Sequence, residues 1–405
     1  MRVTRALLIT LTVALLAAAA ATASTAARPL PERLTRALAP VGLDGTITGA
    51  AVLDLTTGRV VYARNARRSL VPASTEKLPI SLTALQVLGT GYRSRTVVLG
   101  DGEQVGTRWK GDLVLKGYGD PDLRSFDLKQ LARKLKAARI EKVTGSVVGD
   151  ESYFDAVRTA PGWKPSFYKL WSPPISALVV DRARLGDSVA DRPALAAATI
   201  FTAILERRGI DIVGAPRTGS LRNADAPVLA RDLSRQLSSL VRTMNTKSDN
   251  FIAEMLIKTV GVEVQGMGTT AAGARVVKNT LRRLGVPITG VRIKDGSGLS
   301  RTDRLTPRSL ASLLRAAQMN PEIGKAFVGS LAVGGKTGTL KERLKAAPVV
   351  GRVRAKTGTT SLASALAGFV DDRYVFALMM NRGSVNSFAA RAAQDRFVTI
   401  LARAA

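Results

Sequence analysis

Between Gly49 and Tyr62 apolar patches alternate around Asp54 and the Thr56-Thr57-Gly58 turn, which predicts a β-hairpin. Ser69 to Pro72 then leads into Ser74 and an apolar stretch, Leu78 to Leu88, of helical character. From Tyr92 the texture changes. Short β-like runs (Thr96–Leu99, Asp112–Leu115, Val143–Val148) are separated by Gly, Pro and Asp, with one basic helix over Leu128–Ala138. Pro161 to Pro174 is rich in Pro, Trp and Tyr and reads as an irregular loop, Ala194–Arg208 is again helical, and Gly209–Gly214 resembles a short strand. Helices are expected to dominate from Asp232 on: Asp232–Met244, Asp249–Val260, Thr270–Leu284 and Pro307–Ala317. The end differs. Val350–Thr357, Ala363–Phe369 and Tyr374–Met380 read as three consecutive strands, and a helix over Phe388–Ala402 closes the chain. No repeat of solenoid period is present.

A chain of 405 residues exceeds one typical domain, so two are expected. Ala6 to Ala23 carries no charge, follows Arg2 and Arg5, and ends in the small-x-small triplet Ala21-Thr22-Ala23. Residues 1–23 therefore read as a secretory signal peptide, cleaved on export to a periplasm, cell wall or extracellular space.

Composition removes much of enzymology. With no His there is no Ser-His-Asp triad and no His-ligated zinc, and with no Cys there is no thiol nucleophile, disulfide or iron–sulfur cluster. A hydrolase of this composition takes its nucleophile from Ser or Thr and its base from Lys, Asp or Glu, and no cofactor or metal is expected. The net charge of +29 asks for an anionic partner. Beyond a membrane that means anionic lipid or carboxylate- and phosphate-rich wall polymers. Nucleic acid is not expected, because the basic residues are scattered and rarely interleaved with aromatics.

Three short motifs occur twice each. Ser-x-x-Lys stands at Ser74–Lys77 and Ser166–Lys169, Ser-x-Asn at Ser248–Asn250 and Ser384–Asn386, and Lys-Thr-Gly-Thr at Lys336–Thr339 and Lys356–Thr359. Together they are the signature of penicillin-binding proteins and class A β-lactamases. Context selects among the copies. Ser74 follows Pro72-Ala73 at a helix start, which puts Ser74 and Lys77 on one face, whereas Ser166–Lys169 is hemmed in by Pro165 and Pro173-Pro174. Ser248 opens a helix after an apolar one. Ser384–Asn386 has the look of an ordinary cap. Lys356 ends a strand-like run, Val350–Ala355, able to bind an extended peptide along its edge, while Lys336 follows Val333-Gly334-Gly335, too rich in glycine for a strand. The retained set is Ser74, Lys77, Ser248, Asn250, Lys356, Thr357 and Gly358.

Around these motifs the chain resembles the D-alanyl-D-alanine carboxypeptidase/endopeptidase family of class C low-molecular-mass penicillin-binding proteins. The matching stretches include Pro72-Ala73-Ser74, Gly111-Asp112-Leu113, Gly119-Asp120-Pro121, Val148-Gly149-Asp150 with Tyr153-Phe154-Asp155, and Ile175–Leu178. Ser248–Glu254, Asp295–Ser300 and Arg352–Gly358 match as well. The resemblance implies an α+β fold, with a penicillin-binding, β-lactamase-like domain of antiparallel sheet, flanking helices and an all-helical part. That domain is formed by residues 24–92 and 226–405, interrupted by one β-rich insertion over 93–225. Members nest a further domain inside the insertion, but here only Val180–Pro193 occupies that place, so the nested domain is expected to be largely missing. Pro79 is expected to strain the helix after Ser74. The family also places a Gly-x-x-Gly-Thr-Leu segment ahead of its Lys-Thr-Gly box, and Gly335–Leu340 stands there.

The resemblance further implies serine-type D-Ala-D-Ala carboxypeptidase or endopeptidase activity on peptidoglycan stem peptides, with acylation by β-lactams. Ser74 would be nucleophile and Lys77 base, its pKa lowered by burial and by the Lys356 cation. Ser248 would pass a proton to the leaving amine, and Asn250 would hold the substrate amide and Lys77. The backbone N–H groups of Ser74 and Thr359 would form the oxyanion hole. Lys356, Thr357 and Thr359 would receive the terminal carboxylate. Glu76 is expected to be a solvated charge on the far side of the helix. Asp155 either reads an amine of the stem peptide or belongs to a packed loop. Two other readings stay open: a β-lactamase, although the Glu-x-x-x-Asn loop of class A enzymes is missing, and a non-catalytic β-lactam- or wall-binding protein.

Overall fold

Three strands are buried at nearly every position, and this places them in the middle of a sheet covered on both faces. A computed structural model describes residues 28–405 apart from Arg222 and Ala224; the expected leader lies outside the described residues. The strands are Ile47–Asp54, Ala363–Val370 and Tyr374–Asn381. They belong to a six-stranded antiparallel sheet in the spatial order Ala332–Val333, Val353–Thr359, Ala363–Val370, Tyr374–Asn381, Ile47–Asp54, Val60–Arg64. Alternation sorts the side chains. Ala365, Ala367, Phe369, Val375, Ala377 and Met379 join a core with the helices Lys77–Leu88, Leu237–Lys247, Asn250–Gln265 and Pro307–Met319. Leu366, Val370, Phe376, Leu378 and Met380 pack on Leu30–Ala37 and Ser387–Ala402. An antiparallel sheet flanked by helices is thus present as expected.

The helix Lys77–Leu88 is buried at every position from Lys77 to Leu85, as a helix apolar all round must be. Ala73–Glu76 precede it as a 3-10 turn, so Pro79 falls in the first α-helical turn, where no intrahelical acceptor waits for its missing N–H. The helix is accordingly continuous, without the expected disturbance.

A second, mixed sheet is built from residues 95–233 around the long hairpin Arg95–Val105 and Arg108–Gly117. Its core packs on the helices Ser125–Ala137 and Pro193–Glu206. One helix boundary expected from the sequence moves. Asp232 and Leu233 end the strand Val228–Leu233, paired with Arg95–Leu99, and the helix begins only at Leu237. Antiparallel pairing with Arg95–Leu99 of the hairpin makes Val228–Leu233 extended, and this sheet extends past residue 225. Where a nested domain would stand, residues 184–189 form a two-stranded hairpin. Among the described residues no helix is long and apolar enough to cross a membrane.

The helix that carries Asn250 is held by close backbone contact with Thr270–Arg283. A Cβ placed on Gly273 would lie 1.8 Å from the Ile257 carbonyl oxygen, so only glycine permits this approach. Gly273→Ala is therefore expected to destabilise the protein by about 1–3 kcal/mol or more, read as a lower urea midpoint, and to slow turnover by displacing that helix.

Candidate active site

Ser74 sits in the 3-10 turn, one residue after Ala73, whose φ of 48° is a left-handed conformation costly for a residue with a Cβ. Lys77 begins the α-helix, so its fully buried side chain lies beside Ser74. The Lys77 Nζ has three neighbours: Ser74 Oγ at 3.1 Å, Asn250 Oδ1 at 2.8 Å and the Ser297 carbonyl oxygen at 2.6 Å. Two of these can only accept; a hydroxyl can also donate. A neutral amine has two N–H bonds and one lone pair. In that form it would give its protons to Asn250 and Ser297 and turn the lone pair toward the Ser74 hydroxyl, whereas the ammonium donates to all three. Burial lowers the Lys77 pKa to about 8, against the opposing pull of Asp295, Glu254, Asp249 and Glu76. Of the two expected causes, desolvation drives the shift, and Lys356 is not among its main contributors.

Ser248 caps the helix Leu237–Lys247 in a left-handed conformation, φ 58°. That kink turns the chain into the next helix, whose N-terminus Asp249 caps by accepting the Ile252 N–H at 3.0 Å. It also aims the hydroxyl at Lys356, whose Nζ lies 2.9 Å from Ser248 Oγ and 2.7 Å from the Thr357 carbonyl. Lys356 is fully buried, and burial, then Lys77, push its pKa well down. Asn250 completes its amide by donating Nδ2–H to the Trp171 carbonyl at 2.9 Å.

Strand geometry orients the rest. Thr360 N–H bonds the Ala363 carbonyl at 2.9 Å, so alternation turns Lys356 and Gly358 toward Ala363–Val370 and leaves the backbone groups of Thr357 and Thr359 on the opposite edge. The edge strand Ala332–Val333 covers only Arg354 and Ala355, so that edge is open at Thr357 and Thr359. Gly358 faces Ser74: a Cβ there would stand 3.1 Å from Ser74 N and 2.9 Å from the Pro72 carbonyl. Ser74, Lys77, Ser248, Asn250, Lys356, Thr357, Gly358 and Thr359 are thus gathered at one place. An extended peptide along the edge would bring a carbonyl over Ser74.

Asp155 is not part of this gathering. Its carboxylate binds the enclosed Lys258 ammonium, Tyr153 donates to Glu263, and Phe154 is buried, so 153–155 pack as a loop on the helix Asn250–Gln265. The duplicate motifs stand apart as well. Ser166 is exposed at a one-turn 3-10 segment, and Asn386 caps Ser387–Ala402. Sequence reasoning missed the Ser297 carbonyl, the Trp171 carbonyl and Glu254. Glu254 follows Asn250 by four residues and so shares its helix face, a readable signal. Its Oε1 accepts Gly296 N–H at 3.0 Å and Ser297 N–H at 2.7 Å. The two carbonyls carry no sequence signal at all.

The model of the D-Ala-D-Ala carboxypeptidase 3 (S13) family matches residues 30–191 and 183–404. A D-alanyl-D-alanine carboxypeptidase of Actinomadura sp. is 30% identical over 84% of this chain and 78% of its own. A carboxypeptidase of Mycobacterium tuberculosis is 31% identical over 94% of this chain and 86% of its own. The crystal structure of penicillin binding protein 4 from Haemophilus influenzae shares the fold, with a TM-score of 0.81, 24% identity, and 92% and 98% of the two chains covered.

Beneath Lys77 lie four buried carboxyls, Glu76, Glu254, Asp295 and Asp303. Asp295 is well supplied, accepting from Gly298 N, Ser300 N, Ser297 Oγ and Trp163 Nε1. Glu76 is not solvated: it is fully buried and neither oxygen has a hydrogen-bond partner. The 3-10 turn rotates residue 76 inward against the loop that carries Gly298, which a helical wheel does not anticipate. Burial, then Asp295 and Glu254, raise its pKa well above the usual 4.5, so the fold favours its protonated form. An acid whose folded pKa is raised costs nothing below its unfolded value. Its cost grows as the unfolded chain ionises above about 4.5. Glu76→Gln, keeping shape without the acid, should therefore raise the melting temperature at pH 8 and lose that advantage toward pH 4. Thermal unfolding at the two pH values checks this, and a melting temperature lowered at pH 8 would contradict it.

Proposed function

The chain belongs to the D-Ala-D-Ala carboxypeptidase 3 (S13) family and is a serine-type D-Ala-D-Ala carboxypeptidase; we propose that it acts through an acyl-enzyme on Ser74, with Lys77 as the base. The observation that carries this reading is the Lys77 amine, enclosed and shared among Ser74 Oγ, Asn250 Oδ1 and the Ser297 carbonyl. A stem peptide ending in D-Ala-D-Ala lies along the open edge of Val353–Thr359 by strand addition. Lys77 takes the Ser74 proton as Oγ attacks the penultimate D-Ala carbonyl. Backbone N–H groups of Ser74 and Thr359 receive the oxyanion, a contribution of roughly 10²–10³ in rate. The nitrogen of the last D-Ala leaves as an amine after protonation from Lys77 through Ser248, and water then releases the peptide.

Lys356 matters most when substrate arrives. Without an anion its ammonium is disfavoured by burial and by Lys77. The terminal carboxylate, bonded by Thr357 and Thr359, restores that charge beside Ser248. Substrate binding thus assembles the proton path.

The segments before and after the insertion form the catalytic unit in this reading, the insertion running to Leu233 and not ending at the expected residue 225. Peptidoglycan is the substrate polymer, cross-link cleavage by the same acyl transfer is within the site's chemistry, and β-lactams acylate Ser74. The acylated endopeptidase of Bdellovibrio bacteriovorus shares this fold, with a TM-score of 0.51. The protein works beyond the membrane, and its net charge of +29 favours anionic wall or lipid surfaces.

The decisive measurement is release of D-Ala from a stem-peptide mimic. Ser74→Ala should lower it by roughly 10⁴-fold or more, and Lys356→Ala by roughly 10²-fold, whereas Lys336→Ala should leave both release and penicillin acylation near wild type. Mass spectrometry of the penicillin adduct separates readings: rapid loss of the adduct favours a β-lactamase, and acylation without any D-Ala release a non-catalytic binder. Because Lys77 must be unprotonated, acylation should rise about tenfold per pH unit from about pH 6 and level off above about pH 8. A flat profile over that interval would count against Lys77 as the base.

A further inference from the structure

The first Lys-Thr-Gly-Thr returns to the site through its last residue. The Thr357 hydroxyl donates to Thr339 Oγ1 at 2.8 Å. Thr339 is firmly placed. A Cβ on Gly338, whose φ is 56°, would stand 2.4 Å from the Thr246 carbonyl oxygen, so the segment is pressed against the end of the helix that leads into Ser248. On one side Thr337 Oγ1 accepts the Val333 N–H at 3.0 Å, and on the other Leu340 is fully buried in the apolar layer behind the sheet. Lys336 folds elsewhere, with its Nζ 2.8 Å from where a Cβ of Gly351 would be. Thr339 itself is exposed, so its hydroxyl stands at the surface beside the open strand edge.

A hydroxyl has one proton and two lone pairs. Thr357 cannot give its single proton both to Thr339 and to an incoming carboxylate. When substrate takes that proton, the oxygen of Thr357 is left with a lone pair facing Thr339, whose own O–H can donate to it. We propose that Thr339 is a substrate-positioning residue: it holds the Thr357 hydroxyl in the rotamer that donates to the terminal carboxylate of the D-Ala-D-Ala peptide. The proposal rests on the reading that the Lys356 strand receives that carboxylate. Hydrogen bonds to ionised acceptors are short and demanding of angle, so a hydroxyl held in line binds better than one that must find its place. The acyl-transfer step itself lies on the other side of Gly358 and does not involve Thr339.

The test compares Thr339→Val, which replaces the hydroxyl by a methyl of similar shape, with Thr339→Ser. Both are assayed as full-length protein on a peptide ending in D-Ala-D-Ala and on the same peptide with its C-terminal carboxylate amidated. Thr339→Val should raise KM for the acid roughly three- to tenfold, with kcat within about twofold, the amide unaffected and the melting temperature unchanged. Thr339→Ser should restore the wild-type KM. An unchanged KM in Thr339→Val overturns the proposal, as does an equal loss on acid and amide. A parallel Lys356→Ala arm separates the two levels. If that change leaves KM for the acid untouched, the carboxylate reading of the strand falls and takes this inference with it. If Lys356→Ala raises KM and Thr339→Val does not, only the role of Thr339 is lost.

Discussion

A primary amine with no access to water, facing two obligate acceptors and one hydroxyl, is the constraint around which this molecule is arranged. The Lys77 ammonium is disfavoured by roughly 3 kcal/mol relative to solution, the equivalent of lowering its pKa from 10.5 to about 8. That cost is tolerated only if the remaining N–H groups are satisfied, and they are satisfied from two different parts of the chain, the helix carrying Asn250 and the loop carrying Ser297. The glycine contact that seats the Asn250 helix and the carboxylates that hold the Ser297 loop therefore serve one atom. In the proposed mechanism lysine fills the place that imidazole holds in other serine hydrolases, consistent with a chain that contains no histidine.

Strain is concentrated at the same point. Ala73, before Ser74, and Ser248, at the turn between two helices, both adopt left-handed conformations without being glycine. Each costs on the order of 1 kcal/mol, and each aims a hydroxyl. Glu76 adds to the same strain, since an acid without a hydrogen-bond partner is carried inside the fold next to Lys77. Surrounding packing of almost wholly buried strands and helices supplies the margin that lets these unfavourable choices persist.

How much of this was legible in the residues depended on whether a signal was local. The three C-terminal strands, the helix after Ser74 and the cap at Asp249 follow from apolar runs and capping chemistry. The strand Val228–Leu233 did not, because its partner lies over a hundred residues upstream and only that pairing makes it extended. At the site, the motif residues could be chosen from their context of helix start and strand end. Glu76 was misplaced because a 3-10 turn rotates side chains differently from an α-helix. Contributions from backbone carbonyls, Ser297 and Trp171, could not be read, since every residue has one. Asp155 was recognisable as special, but which cation it meets is a matter of tertiary packing.

The duplicated Lys-Thr-Gly-Thr illustrates the same limit from the other side. Strand propensity separates Lys336 from Lys356 correctly, because glycines at 334 and 335 spoil a strand while Val353–Ala355 make one. It says nothing about whether the two segments touch. Antiparallel pairing of Ala332–Val333 with Arg354–Ala355 brings the first segment alongside the second and ends just before the edge at Thr357 and Thr359. The chain then turns away through Gly338, and that turn is what leaves Thr339 against Thr357. A short edge strand thus does two things at once: it stops early enough to keep the edge at Thr357 and Thr359 open, and its exit delivers a hydroxyl to the mouth of that opening.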